Sequence, residues 1–380
     1  MTVTILHGDC REVLRMQPDE SAHCAVTSPP YWGLRDYGVP HSIWGGDDGC
    51  EHEWGSEIAV NATNHTGKAR WNHTRNGRDE EQPVEKRVSW LRTEVKQGQF
   101  CQRCNAWAGA HGLEPTPQLF VENEVRVFRE VRRVLRDDAT LWLNLGDSYQ
   151  NAKGQAHGVD PKQPARRHGL RPQDVSIEGL KPKDLVGIPW MVAFALRADG
   201  WYLRQDIIWS KPNPMPESVT DRCTKAHEYL FLLSKSARYY YDADAITEAA
   251  SRPEGAGNIT HKGATAYAAG DEKMRTKLGL TEIGARDTRN KRSVWTVPTS
   301  PFAEAHFATF PPALIEPCIL AGCPAGGTVL DPFGGAGTTG LVADRLGRNA
   351  ILIELNPEYA AMAERRIKDD AGMFAEVSSA

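Results

Sequence analysis

Apolar positions along the chain cluster into patterned blocks separated by polar, unpatterned stretches. Residues 3–6 read as a short strand, 11–16 as a helix, and 23–26 as a second strand. The unbroken apolar character of 23–26 suits a strand covered on both faces. From residue 45 to 116 the pattern dissolves into Asn, Gly, Thr and charge with scattered Trp, which predicts an insertion outside the sheet core. Periodicity returns with Val121, Val125, Phe128, Val131 and Leu135 at helical spacing. A strand at 140–145 follows, then a polar Gly- and Pro-rich loop to about residue 183. A helix at 189–198 starts on a proline, and strands are expected at 202–209 and 228–233. Residues 244–292 are again irregular, and 310–368 run helix, strand, Gly-rich turn, helix, strand, helix. The last residues, 376–380, read as a frayed tail.

Strands alternating with helices predict an α/β fold with a doubly wound, mostly parallel sheet. The expected organisation is a core built from 1–44, 117–243 and 295–372, interrupted by 45–116 and 244–294, with a tail at 373–380.

Composition narrows this picture. The 380 residues are 40% hydrophobic and 25% charged, ordinary for a globular chain. No apolar run approaches the length of a membrane span. The start of the chain lacks the pattern of a secretion signal, so the cytoplasm is the expected location. Eight cysteines are too few for a disulfide scaffold of this size. A formal net charge of −4 excludes a uniformly basic nucleic-acid coat, so binding to nucleic acid would rest on local patches.

Two motifs carry chemistry. Strand residues 328–330 lead into Asp331-Pro332-Phe333-Gly334-Gly335-Ala336-Gly337-Thr338, followed by a helix. Glycines between a strand and a helix let the backbone approach a ligand. The next strand ends in Glu354, about 20 residues on, where an acid commonly holds ribose hydroxyls. The glycines do not form G-x-G-x-x-G, so a dinucleotide is the poorer ligand, and a plain tight turn is the alternative.

The second motif is Thr27-Ser28-Pro29-Pro30-Tyr31 at the end of a strand. Two prolines fix φ and remove two N–H donors, making the turn rigid. This suits attack by an aromatic amino group. Ser28 Oγ and the Pro29 carbonyl would accept its hydrogens and pull the nitrogen toward sp³ geometry. Tyr31 would stack on the base. A Pro-Pro turn that merely caps a strand is the alternative.

Taken together and in this order, the motifs resemble the beta-type DNA amino-methyltransferases, in which the Ser-Pro-Pro-Tyr turn precedes the cofactor loop. The resemblance covers most of the chain outside the irregular regions. It implies S-adenosylmethionine as cofactor, held by Asp9, Cys10, His306, Asp331, Phe333, Gly334, Gly335, Gly337, Thr338 and Glu354. It implies Ser28, Pro29, Pro30 and Tyr31 as catalytic residues acting on a flipped-out base. The segments ending at Asn144-Leu145-Gly146-Asp147, at Ile207 to Asn213 and at His227-Glu228-Tyr229 are similar to family segments as well. Serine at the first catalytic position resembles cytosine-N4 enzymes, with adenine-N6 as the alternative. Double-stranded DNA is the implied partner, and a cognate restriction endonuclease a further one. Methylation of RNA or protein and a non-catalytic DNA-binding module are the competing readings. The family places target recognition at 244–294, where Arg252, Lys262, Lys273, Arg275, Lys277, Arg286, Arg289, Lys291 and Arg292 favour phosphate contact. Arg166, Arg167, Arg171, Lys181 and Lys183 form a second basic stretch.

The insertion adds Cys50-Glu51-His52 and Cys101-Gln102-Arg103-Cys104. Cys50, His52, Cys101 and Cys104 offer four ligands to one tetrahedral ion, which predicts a zinc-ribbon-like insertion with a structural zinc. Reduced thiols and a redox pair are the alternatives.

Overall fold

The structure is a computed structural model and describes residues 1–34, 37–60, 95–96, 98–150, 176–250, 287–300, 310–371 and 376–379. Strand β1 (Thr2–His7) runs into α1 (Cys10–Met16), capped by the Asp9 carboxylate, and then β2 (Ala22–Thr27). Strand β3 (Ser42–Trp44) precedes the insertion, which contributes β4 (Ala59–Val60), β5 (Val95–Lys96), β6 (Gln99–Phe100) and β7 (Trp107–Gly109). Next come α2 (Pro117–Val134), β8 (Leu135–Leu145), α3 (Ile188–Ala198), β9 (Tyr202–Ser210) and β10 (His227–Ser234). Short strands β11 (Glu248–Ala249), β12 (Thr288–Arg289) and β13 (Val294–Thr296) follow. The chain closes with α4 (Pro312–Gly322), β14 (Thr328–Asp331), α5 (Thr338–Arg345), β15 (Asn349–Glu354), α6 (Pro357–Ala371) and β16 (Glu376–Ser379).

Nine strands form one sheet in the order β13-β9-β10-β8-β2-β14-β15-β1-β16. Only β10 runs antiparallel to its neighbours. Side chains alternate between two apolar layers. Ala25, Leu141, Leu143 and Leu330 face the layer of α1, α2 and α3. Cys24, Val26, Trp142 and Val329 face the layer of α4, α5 and α6. This is the doubly wound, mostly parallel α/β sheet that the alternation predicts. Burial of each large side chain in these layers contributes roughly 1.5–3 kcal/mol.

Three features differ from the pattern read in the sequence. β8 starts directly after α2, five residues before the expected strand, and its pairing with β2 jumps from Ala22↔Leu135 to Cys24↔Thr140, so four strand residues bulge. The insertion is not excluded from the core: Trp107 is buried in the α2 layer, paired with Trp44, which lies just before the insertion. Part of the expected tail pairs in parallel with β1 as β16 and forms the edge of the sheet.

The chain leaves β2 toward β8 and leaves β14 toward β15, so the direction of winding reverses between β2 and β14. Ligands of open α/β sheets bind in the crevice at the carboxyl ends of such strands. Both motifs singled out above lie there.

Candidate active site and metal centre

Thr27 ends β2 and Asp331 ends β14. Thr27 Oγ1 donates to Asp331 Oδ1 at 2.6 Å, and Thr339 Oγ1 donates to Asp331 Oδ2 at 2.6 Å. The Phe333 N–H also donates to Asp331 Oδ1, at 3.1 Å. All three residues bearing these side chains are buried. Burial raises the Asp331 carboxyl to about 6, against the pull of these donors. Asp331 is therefore a joint between the Ser-Pro-Pro-Tyr turn and the Gly-rich loop. Its carboxylate is engaged inside the protein, where the family resemblance implies a cofactor contact.

Tyr31 turns its hydroxyl toward the ends of β8 and β10. It lies 2.9 Å from Glu228 Oε2 and 3.0 Å from Asn144 Oδ1, and its single proton serves one of them at a time. Asn144 Nδ2 donates to the Tyr229 carbonyl at 3.0 Å, which aims its Oδ1 at the phenol. Lys211 Nζ pairs with the other Glu228 oxygen and sits 4.1 Å from the Trp209 ring centre. Burial, then the Glu228 charge, pushes the Tyr31 phenol well above its ordinary range, so it stays a hydroxyl. Ser28 Oγ lies 3.4 Å from the same hydroxyl. Residue 146 must be glycine for this packing, since a Cβ there would lie 2.4 Å from Tyr31 Cε2.

The Gly-rich loop starts α5 from Gly337, whose φ of +76° and contact with Ala363 exclude a side chain. Glu354 ends β15 with Oε2 accepting from Gly335 N and Oε1 from Asn356 N, both at 2.8 Å. Burial raises Glu354 to about 7, partly offset by those N–H groups. His7 pairs with Glu354 in register, so Asp9 and Cys10 emerge beside it. Asp9 caps α1 and pairs with Arg11 at 2.6 Å. Burial opposes its charge, but the Arg11 guanidinium holds the carboxyl below its usual value. Thr338 is buried and accepts from Arg366 at 2.9 Å. His306 lies outside the described residues, as do Arg166, Arg167, Arg171 and residues 251–286 of the basic region. Of the described cations there, Arg289 and Arg292 both pair with Glu248.

The insertion brings Cys50, His52, Cys101 and Cys104 together, with all ligand atoms within 4.8 Å of one another. Cys50 and Cys101 sulfurs are 3.9 Å apart, and Cys104 Sγ is 3.4 Å from His52 Nδ1. A tetrahedral zinc with Zn–S bonds of about 2.3 Å needs sulfurs about 3.8 Å apart. The donor set and spacing fit that ion. Burial acts against ionisation of Cys101, but the N–H groups of Cys104 and Arg103 outweigh it and bring the thiol down to about 6.

The convergence of Asn144, Lys211 and Glu228 on Tyr31 is not visible in the motif itself. The sequence marks their segments only by family likeness. Nor does it show the Thr27–Asp331 bond, which joins residues 304 positions apart.

The profile of the DNA methylase family N6_N4_Mtase matches residues 22–365. The Type II methyltransferase M.Cfr9I of Citrobacter freundii is 39% identical over 367 residues, covering 97% of this chain and 88% of its own. M.SmaI of Serratia marcescens, also a Type II methyltransferase, is 40% identical over 363 residues, covering 96% and 90%. The solved PvuII DNA methyltransferase, described as cytosine-N4-specific, shares this fold with a TM-score of 0.52 at 16% identity, covering 100% of this chain and 95% of that one. With the family profile spanning both the Ser-Pro-Pro-Tyr turn and the Gly-rich loop, the chain belongs to the N6/N4 DNA methylase family.

Proposed function

We propose that the protein transfers a methyl group from S-adenosylmethionine to the N4 amino group of a flipped-out cytosine in duplex DNA. The observation that carries this reading is the Thr27–Asp331 bond, which sets the catalytic turn against the Gly-rich loop at the point where the winding reverses. Bound S-adenosylmethionine supplies an electrophilic methyl group. Ser28 Oγ and the Pro29 carbonyl accept the hydrogens of the amino group and expose its lone pair. Transfer would form the N–CH₃ bond as the S–CH₃ bond breaks, leaving a neutral thioether, and the surplus proton of the nitrogen would pass by way of its acceptors to water. Tyr31 gives the base a stacking surface, and positioning does most of the work. Flipping the base costs a few kcal/mol. Serine at position 28 favours cytosine, while adenine-N6 is the reading that shares every other residue. Sequencing modified DNA from cells expressing the protein reports both base and site. N4-methylcytosine at one recurrent sequence supports the reading, and N6-methyladenine replaces it with the alternative.

Glu354 is assigned to the cofactor ribose hydroxyls, which donate best to the ionised carboxylate. Its value in the fold, about 7, lies above the ordinary 4.5, so the charged form is lost as pH falls through 7. Cofactor affinity is expected to weaken about tenfold from pH 8 to pH 6. Calorimetry at the two values checks this, and Glu354→Gln should abolish the difference.

A structural zinc on Cys50, His52, Cys101 and Cys104 completes the proposal. Gently purified protein is expected to carry one zinc per chain. Cys101→Ser should release the metal and lower the melting temperature, because the ligands order a segment that packs Trp107 into the core. Metal analysis without zinc would remove this assignment. The class name of the relatives, Type II methyltransferase, also supports a cognate restriction endonuclease as partner.

A further inference from the structure

The loop after β7 carries a buried group of charges that no step above uses. His111 lies between two glutamates: its Nδ1 is 2.8 Å from Glu114 Oε1 and its Nε2 is 2.8 Å from Glu124 Oε1. Both glutamates have no exposed surface. Glu124 Oε2 has no hydrogen-bond partner among the described residues, while Asn123 Nδ2 and Gly112 N donate to Glu114.

Each ring nitrogen faces a carboxylate oxygen, so each needs a hydrogen between them. The group therefore holds two shared protons and a net charge of −1. The ring also stacks between Trp44, at the end of β3, and Phe333 of the cofactor loop, at 4.7 Å and 5.7 Å between centroids. The Gly112 carbonyl accepts from Gly33 N at 2.8 Å, and the Glu114 carbonyl accepts from Trp32 Nε1 at 2.9 Å. The same short loop thus grips the segment just after Tyr31.

We propose that His111, held as an imidazolium between Glu114 and Glu124, is a positioning residue that sets the catalytic turn and Phe333 of the cofactor loop relative to each other. It touches neither reacting atom. It acts through Gly112 and the Glu114 carbonyl on one side and through ring stacking on the other.

The charged groups around it come from three elements. Glu114 shares its loop, Glu124 comes from α2, and Arg11 comes from the start of α1, where burial keeps the neighbouring Cys10 thiol, which feels the Glu124 charge, well above its ordinary value. Arg11 lies over the far face of Trp44, 3.8 Å from its centroid. Burial alone would lower the His111 value, but Glu114 and then Glu124 raise it to about 10. The proton present below the ordinary value of 6.5 is therefore kept until pH rises through about 10. Burial of Glu124 raises its own carboxyl, an effect that His111 partly offsets.

The inference rests on the proposed methyl transfer for its turnover readout, but not for its binding readout. His111→Gln leaves two buried carboxylates without a cation, and one must take up a proton to restore the count. Relative to wild type, the variant is expected to bind S-adenosylmethionine about fivefold more weakly at pH 8.5 and nearly normally at pH 6. Its turnover on duplex DNA should fall at least about tenfold at pH 8.5, with partial recovery at pH 6. Glu124→Gln keeps an acceptor for Nε2 and serves if the first variant does not fold. Its turnover should match wild type at pH 7 and decline about one pH unit earlier on the alkaline side. In ¹⁵N-histidine spectra of the wild type, one imidazole should keep both N–H protons at pH 9. Variant-to-wild-type ratios that are the same at every pH, or a neutral His111 at pH 8, would overturn the proposal. Normal cofactor-binding ratios with no DNA turnover by the wild type would instead count against the functional reading.

Discussion

Ser28→Ala and Tyr31→Ala proteins are expected to bind S-adenosylmethionine as the wild type does, yet to transfer methyl about a hundredfold more slowly, or worse. Neither side chain contacts Asp331 or Glu354, the anchors of the Gly-rich loop, so the cofactor site should survive. On the proposed mechanism, loss of Ser28 Oγ would remove one acceptor for the amino hydrogens, and misplacement of a reacting nitrogen by about 1 Å can cost about a hundredfold. Loss of the Tyr31 ring would, on the same proposal, remove base stacking worth about 1–3 kcal/mol. It also leaves Asn144 Oδ1 and Glu228 Oε2 without their hydroxyl. Gly146→Ala should reproduce part of the Tyr31 defect without removing it, since the added methyl would displace the ring. Calorimetry for the cofactor and tritium transfer to duplex DNA separate the two effects. Weakened cofactor binding in Ser28→Ala would move that residue out of the catalytic role.

Asp331→Ala is expected to damage both stability and turnover. The change leaves the Thr27 hydroxyl, the Thr339 hydroxyl and the Phe333 N–H without their acceptor in a buried place. Each stranded group costs about 1–3 kcal/mol, so a loss on the order of 3–5 kcal/mol is expected after partial repair. Turnover should fall by about a hundredfold because the turn loses its tie to the Gly-rich loop. Asp331→Asn is expected to be far milder. Its oxygen still accepts from Thr27 and Phe333, and its amide can donate to Thr339, whose hydroxyl can turn to the Val26 carbonyl 3.4 Å away. Because Asp331 sits near 6 in the fold against 3.8 unfolded, it favours the folded state fully below pH 3.8. That contribution is lost as pH rises through about 6, and the asparagine protein should lack this loss. Thermal melts of the three proteins between pH 5 and pH 8 test both statements. Equal melting of the alanine and asparagine variants would show that Asp331 is not a joint.

The sheet was legible wherever an apolar run was bounded by a turn, as at residues 23–26 and 328–330. Both chemical motifs were legible because Pro-Pro restricts the backbone and Gly-Gly-x-Gly opens conformations to it that other residues rarely adopt. What escaped depends on contacts between distant segments. The Thr27–Asp331 bond and the grouping at Tyr31 form only when β2, β8, β10 and β14 come together. The short strands β6 and β7 carry too few residues for periodicity to register. Glu124 is a different case. It lies four residues from both Phe120 and Phe128, which are buried on the same face of α2. An acid within an apolar helical stripe needs a buried partner, and that mismatch was the available signal for His111.

The most direct test of the account is the position of the methyl group. Purified protein, duplex DNA and methyl-labelled S-adenosylmethionine would be incubated, and the DNA digested to nucleosides for mass spectrometry. The account predicts label in N4-methylcytosine, formed about a hundredfold more slowly, or worse, in the Ser28→Ala reaction. Label in N6-methyladenine or 5-methylcytosine, or label confined to RNA or protein, would contradict it.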